Sequence, residues 1–158
     1  MAKTKKRTKK KDIKKVLEVL QGSTKFKMDV SLIVLRYDPT FIVKLLSEIA
    51  EDIETGKVLQ ISQGTSAIVM LCEENFAKKV EKWYKPFVIE HKKDLVAFTI
   101  MFPKKAMETP GILSFITDLL SKNGVNIVEI IGCYTDITFV INRKDLFKTM
   151  DLLGEFIL

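Results

Sequence analysis

Residues 103–111 could bind the two charged ends of a free amino acid. The segment ends in Glu108-Thr109-Pro110-Gly111, directly before an apolar run that predicts a helix. The N-terminus of a helix has unpaired backbone amides that attract a carboxylate, and the carboxylate of Glu108 could receive an ammonium group. Gly111 would let a ligand approach the backbone closely. The alternative is purely structural, because Glu108 would also favour the positive end of the helix dipole and Gly111 would also permit tight packing.

The sequence contains none of the common catalytic motifs. The single histidine, His91, lies between Glu90 and Lys92, a setting typical of a solvated linker rather than a catalytic base. Glycine-rich phosphate loops, HExxH and GxSxG are absent. Cys72 and Cys133 are far apart and match neither a metal nor a redox spacing, so buried free thiols are expected. We therefore expect no enzyme activity, no catalytic residues, no metal site and no cofactor.

The positive charge of the chain is concentrated at its N-terminus. The net charge of the 158 residues is +6, but residues 1–15 contain nine basic groups and one acid, which leaves 17 basic and 19 acidic residues in 16–158. Residues 1–11 are expected to be a disordered basic tail, because the lysines of the run 3–11 repel one another and that run has no apolar side chain to bury. The tail has no aromatic residue for base stacking, so nucleic acid is not expected as the main partner.

Apolar runs in this sequence are too short for a membrane. They stay far below the roughly 18 residues that a transmembrane helix needs, and no signal-peptide core follows the basic residues. We expect no membrane association and a cytoplasmic location.

Hydrophobic periodicity predicts a short helix over 12–22 and then the same order of elements twice, β-α-β-β-α-β followed by β-α-β-β-α. In the first half the predicted strands are 28–37, 58–62, 67–71 and 87–89. One predicted helix runs from Asp38-Pro39 to Ile53, and another starts at Asn75 and has Trp83 and Tyr84 on its apolar face. In the second half the predicted strands are 95–102, 125–131 and 136–141. One predicted helix starts after Pro110 and ends at Asn123-Gly124, and the last helix starts near Leu146 and has Phe147 on its apolar face. Such a unit has helices on one face of its sheet, and the open face predicts a dimer.

The second half contains the segments Glu108–Leu113, Asn123–Ile127 and Tyr134–Phe139. Together these three segments resemble the ACT domain, a small-molecule regulatory module of amino-acid metabolism. The resemblance is greatest to the ACT domains of aspartokinases, and Ile61–Ile68 is similar to their segment between the second and third strands. It covers about residues 28–158.

The resemblance implies an α+β fold, a tandem of ferredoxin-like βαββαβ ACT domains with antiparallel sheets and helices on one face, the first over 28–90 and the second over 94–158. It also implies an amino-acid effector at an ACT–ACT interface. Glu108 would hold the ammonium group of the effector, and Gly111 and Ile112 would present amides to its carboxylate. Backbone groups of the strand that contains Asn126 and Ile127 would line the pocket. The implied effector-binding residues are Met107, Glu108, Thr109, Gly111, Ile112, Asn126, Ile127 and Gln63. The two halves should not hold identical sites, because Gly132 takes the position that Gln63 has in the first half.

The resemblance further implies a free-standing amino-acid-sensing regulatory protein that forms a homodimer or higher homo-oligomer. Its signal would go to a partner enzyme of amino-acid biosynthesis. Two alternatives remain open at this point: a structural or interaction module that uses the ACT fold for oligomerisation without a ligand, and a nucleic-acid-linked regulator acting through the basic tail.

Overall fold

The structure, a computed structural model, describes residues 23–154 together with Val16 and Glu18. The predicted tail over 1–11 and most of the predicted helix over 12–22 lie outside the described residues. Val16 and Glu18 are helical, and Val16 is buried. Within the described part of the chain, no helix is both long enough and apolar enough to cross a membrane.

The chain divides into two compact units. The contiguous unit is Met28–Leu95. The split unit combines the described residues before Met28 with residues 96–154. The boundaries between the units fall inside two strands of 14 residues each, β1 over Ser23–Arg36 and β4 over Val88–Met101. The ACT-domain boundaries implied by the sequence, 28–90 and 94–158, stay a prediction.

Between β1 and β4, the contiguous unit has two further strands and three α-helices. They are α1 (Pro39–Glu48), α2 (Ala50–Glu54), β2 (Val58–Gln63), β3 (Ala67–Glu73) and α3 (Glu74–Trp83), followed by a short 3-10 helix over Lys85–Phe87. The strands are ordered β2-β3-β1 with antiparallel neighbours. Leu32 of β1 pairs with Leu71 of β3, and Ile61 of β2 pairs with Met70. One face of this sheet and the helices form a core around Ile33, Leu45 and Phe76.

Asp38 starts α1 as predicted. Its Oδ1 accepts hydrogen bonds from the amides of Thr40 and Phe41 at 2.8 and 3.1 Å, and from the Thr40 hydroxyl at 2.6 Å. The Thr40 hydroxyl, followed by the two amides, lowers the pKa of Asp38. Pro39 occupies the first turn, where its missing N–H costs nothing. The sequence predicted one helix continuing to Ile53, whereas α1 gives way to α2 at Ile49.

The start of α3 was predicted wrongly. The helix begins at Glu74, so Asn75 lies inside it, and its N-cap residue Glu73 makes no side-chain cap hydrogen bond. Trp83, expected on the apolar face, is 53% exposed. Tyr84, expected on the same face, is buried as predicted, with its ring 5.0 Å from the ring of Phe41 in a T-shaped arrangement.

His91 is not in a solvated linker. Residues 87–102 were expected to contain two strands with a link between them, but β4 runs unbroken from Val88 to Met101. Strand pairing joins backbone groups regardless of side-chain polarity, so charged residues such as Glu90 and Lys92 did not interrupt the strand. The His91 side chain is only 3% exposed and contacts Glu81 of α3.

After β4, the split unit continues with two strands and two α-helices. They are α4 (Ile112–Lys122), β5 (Ile127–Cys133), β6 (Asp136–Asn142) and α5 (Leu146–Gly154), with 3-10 helices over Lys104–Glu108 and Arg143–Asp145. The strand order is β4-β6-β5, and β5 and β6 are antiparallel with Ile130 opposite Phe139. The fold is α+β with ferredoxin-like units, as the sequence predicted.

Aromatic rings lie at the centre of the split unit's core. Phe98 stacks on Phe139 with ring centroids 5.1 Å apart, and Phe26 lies 5.5 Å from Phe98. Residues near the N-terminus therefore contribute to the same core as the second half of the chain. Two expectations for this unit were wrong. Phe147, predicted on the apolar face of the last helix, is 78% exposed, and Cys133, predicted to be buried, is exposed. In the contiguous unit, Cys72 is buried as predicted.

Candidate functional site

The split unit contains a cavity of about 230 Å³ beside the first turn of α4. Three segments form its wall: the chain after β4, the start of α4, and the β5–β6 turn with the beginning of β6. The lining residues are Phe102, Ala106, Met107, Thr109, Gly111, Ile112, Leu113, Tyr134, Thr135 and Ile137. A cavity of this size is below the range of about 300–1,000 Å³ typical of sites for drug-sized ligands, so it suits a smaller molecule.

The start of α4 places backbone amides that lie outside the helical hydrogen-bond pattern in the cavity wall. Gly111 is the N-cap residue with φ +93°, and no side chain among the described residues makes a cap hydrogen bond to the helix. The first helical hydrogen bond is donated by the Phe115 amide to the Gly111 carbonyl at 2.8 Å. The amides of Ile112, Leu113 and Ser114 thus precede the helical hydrogen-bond pattern, which leaves the positive end of the helix available to an anion.

The loop before α4 is held by its own hydrogen bonds. The Ala106 amide donates to the Pro103 carbonyl at 2.8 Å, and the Thr109 amide donates to the Ala106 carbonyl at 3.1 Å. The hydroxyl of Thr109 donates to the Lys105 carbonyl at 2.9 Å. Because local bonds fix this segment, Thr109 keeps a defined position on the cavity wall.

The β5–β6 turn closes the opposite side of the cavity. Tyr134 has φ +56° and is 71% exposed. The next residue, Thr135, accepts at its carbonyl a 3.1 Å hydrogen bond from the Phe102 amide, which ties the turn to the end of β4. Its hydroxyl donates to Asp136 Oδ1 at 3.2 Å.

Four of the eight residues proposed from the sequence line this cavity: Met107, Thr109, Gly111 and Ile112. Glu108 is the exposed last residue of the 3-10 helix and does not line it. The remaining three lie elsewhere. Asn126 is exposed just before β5, Ile127 is the half-buried first residue of β5 and packs on the core, and Gln63 is the exposed end of β2 in the contiguous unit.

Six lining residues were not singled out from the sequence. They are Phe102, Ala106, Leu113, Tyr134, Thr135 and Ile137. Tyr134, Thr135 and Ile137 belong to a segment that carried the family resemblance, so the motif itself pointed to this part of the chain. That this segment forms a wall of the cavity depends on strand pairing between β4 and β6, which no local pattern reveals.

A second, larger cavity of about 450 Å³ lies in the contiguous unit and is acidic. Its lining residues are Met28, Asp29, Glu73, Glu74 and Asn75. Among the described residues, no group of three or more histidine, cysteine or acidic side chains is arranged to hold a metal ion. Asp29 and Glu73 already interact with other groups of the protein.

Residues 90–155 match the family model of the ACT domain. This range includes all ten residues that line the 230 Å³ cavity. The resemblance inferred from the sequence motifs is confirmed. No curated protein matches the sequence significantly.

Solved structures with the same fold include regulatory parts of aspartate kinases. The ligand-free regulatory subunit of aspartate kinase from Thermus thermophilus is 19% identical, with a TM-score of 0.66 over 87% of this chain and 97% of that one. The regulatory subunit from Thermus flavus is 17% identical, with a TM-score of 0.69 over 87% and 97%. Aspartokinase III of E. coli in complex with lysine and aspartate is 11% identical, with a TM-score of 0.66 over 87% of this chain and 33% of that one.

Proposed function

We propose that this protein is a non-enzymatic regulator that binds a free amino acid in the cavity beside α4. The observation that carries the proposal is the uncapped first turn of α4 in the wall of a small cavity, within the ACT-matching region. The amides of Ile112 and Leu113 would receive the carboxylate of the ligand, and its side chain would enter the apolar part of the cavity.

Glu108 is the proposed partner of the ligand's ammonium group. Its side chain is exposed, and its chain neighbours Met107 and Thr109 both line the cavity. A rotation of the Glu108 side chain toward the mouth of the cavity would place opposite charges at the two ends of the ligand. This pairing would select a zwitterion over a simple carboxylic acid.

A second copy of the chain is the proposed cover of the site. Met107, Leu113 and Tyr134 are exposed apolar side chains among the lining residues. Clustered exposed apolar side chains mark surfaces that bury against a ligand or a partner. Binding would then signal through a difference in ligand affinity between two arrangements of the oligomer.

The proposed recipient of the signal is a separate enzyme of amino-acid metabolism. This chain spans nearly the whole length of the two Thermus proteins, which are themselves regulatory subunits of aspartate kinase. We propose the same kind of subunit role here. Co-purification of a catalytic subunit with the tagged chain, in an amount that changes when the amino acid is added, is the expected result.

A thermal-shift screen against the twenty amino acids tests the ligand proposal. A ligand at 100 times its dissociation constant stabilises the folded protein by about 2.7 kcal/mol, which raises the Tm of a chain of this size by roughly 5–10 °C. Glu108→Gln should reduce the shift, and Glu54→Gln, an exposed acid at the end of α2 in the contiguous unit, should leave it unchanged. No shift with any amino acid at 10 mM would overturn the proposal in favour of a structural or interaction module.

A further inference from the structure

The wall of the cavity is uncharged, and this restricts the side chain of the ligand. Seven of its ten residues are apolar or aromatic, and none carries a charge. The seven are Phe102, Ala106, Met107, Ile112, Leu113, Tyr134 and Ile137. Glu108 and Asp136, the carboxylates next to lining residues in the chain, do not line the cavity themselves.

The two threonine hydroxyls of the wall already donate their hydrogens within the protein, and the third hydroxyl, that of Tyr134, belongs to a residue that is 71% exposed. The hydroxyl of Thr109 donates to the Lys105 carbonyl, and the hydroxyl of Thr135 donates to Asp136. A side-chain carboxylate or amide oxygen, in a ligand whose backbone carboxylate already occupies the amides of α4, would therefore lose its water without gaining a donor from these threonines. Such uncompensated burial of a polar group is strongly unfavourable.

A positively charged ligand side chain faces the same difficulty. The ε-ammonium of a long basic side chain would have no carboxylate among the lining residues to replace its hydration. An aliphatic side chain has no polar group to desolvate and gains on the order of fourfold in Kd for each methylene it buries. The volume of about 230 Å³ leaves room for a ligand of this size.

We propose that the effector is an amino acid with an uncharged, apolar side chain of three to four heavy atoms, the class of valine, leucine, isoleucine and methionine. This inference rests on the proposed function and adds the selectivity of the same cavity. It separates this chain from E. coli aspartokinase III, whose structure contains lysine and aspartate. Met107 and Ile137 are the proposed specificity-determining residues, because both contribute apolar surface to the wall.

Isothermal titration calorimetry of the full chain with leucine, isoleucine, methionine, valine, lysine, aspartate and glutamate tests the proposal. At least one of the four apolar amino acids should bind at least about tenfold more tightly than lysine and both acidic ones. Met107→Glu should weaken binding of that amino acid by at least tenfold and strengthen binding of lysine, because it adds a carboxylate to the wall. Met107 is 58% exposed in a short 3-10 helix, so the substitution should not disturb the core.

The matched control is Met150→Glu, which places the same change on α5, away from the residues that line the cavity. It should alter neither affinity nor preference. Tighter binding of lysine, aspartate or glutamate to the unmodified protein, weakened by Glu108→Gln, would overturn the inference and leave the proposed function standing. Absence of binding by every amino acid would overturn both, and an unchanged preference in Met107→Glu would overturn the assignment of Met107.

Discussion

The imidazole Nδ1 of His91 lies 2.8 Å from the carboxylate Oε2 of Glu81, joining β4 to α3. Because a carboxylate only accepts hydrogen bonds, His91 must carry a proton on Nδ1. Its Nε2 is buried and has no hydrogen-bond partner among the described residues. In the neutral ring Nε2 then carries no proton and is an acceptor. Glu81 thus selects the tautomer protonated on Nδ1, which avoids burying an unpaired N–H at Nε2.

Glu81→Gln should lower stability more at neutral pH than in acid. The hydrogen bond from His91 is the largest cause that lowers the pKa of Glu81 from 4.5. A carboxylate whose pKa is lowered by folding stabilises the fold above its unfolded-state pKa, and the contribution is lost as pH falls through the folded-state pKa. Urea unfolding at pH 7, 5.5 and 3 should show a deficit in the variant that is largest at the two higher values and smaller at pH 3. A deficit of equal size at pH 3 would contradict the assignment, and Glu54→Gln is the exposed control.

The two cysteines should differ sharply in reactivity. Burial, followed by the charge of Glu73, raises the pKa of Cys72 to about 12, whereas Cys133 is exposed. At pH 8 only about one Cys72 in ten thousand would be a thiolate, the form that reacts. A chromogenic thiol reagent should therefore titrate one thiol per chain in the native protein and two in urea. Cys133→Ser should abolish the native signal, and rapid reaction of that variant would show that Cys72 is accessible.

Gly111→Ala should destabilise the protein through its backbone alone. Among the described residues, a Cβ at this position would meet only Val16 Cγ2 at 3.8 Å, which is an ordinary contact, but φ is +93°. The left-handed conformation costs an alanine roughly 1–2 kcal/mol. The control is Gly132→Ala in β5, where a Cβ meets no atom of the described part of the chain within 4 Å and φ lies outside the left-handed region, so stability should be unchanged or rise slightly. Equal losses in the two variants, measured by urea unfolding, would contradict this explanation.

Truncation to alanine should lower the free energy of unfolding strongly at Phe139 and hardly at all at Phe147. Phe139 is completely buried and stacked on Phe98, so Phe139→Ala should cost about 3–5 kcal/mol. Phe147 is 78% exposed, and Phe147→Ala should change the free energy of unfolding by no more than about 0.5 kcal/mol. Chemical denaturation of both variants gives the comparison. A loss above about 2 kcal/mol for Phe147→Ala would show that this ring is buried in solution, for example against a second copy.

The prediction of elements from the sequence succeeded where local chemistry determines structure. Asp38 caps α1 and Gly124, with φ +71°, follows the end of α4, because capping and positive φ depend on a few neighbouring atoms. The order of strands and helices followed from hydrophobic spacing, which is also local. Phe147 was misplaced because the spacing of apolar residues in a short helix does not reveal where its apolar stripe ends.

The candidate site was predicted only in part, for a related reason. The loop before α4 was found because Glu108, Pro110 and Gly111 are adjacent in the sequence. The opposite wall depends on the hydrogen bond between the Phe102 amide and the Thr135 carbonyl, which connects residues far apart in the chain. His91 was misjudged because its polar neighbours suggested solvent, whereas its burial depends on α3.

The division of the chain into a contiguous and a split unit has a consequence for biosynthesis. The contiguous unit, Met28–Leu95, can complete its fold as soon as it leaves the ribosome, because domains generally form as units during synthesis. The split unit must wait, since Phe26 is made before that segment and its ring partner Phe98 after it. When the split unit forms, its two segments are brought together across an insert that is already folded, so the entropy cost of loop closure is that of the folded insert rather than that of a free chain. Nascent chains released before residue 96 should therefore contain one protease-resistant module and an N-terminal segment without its core.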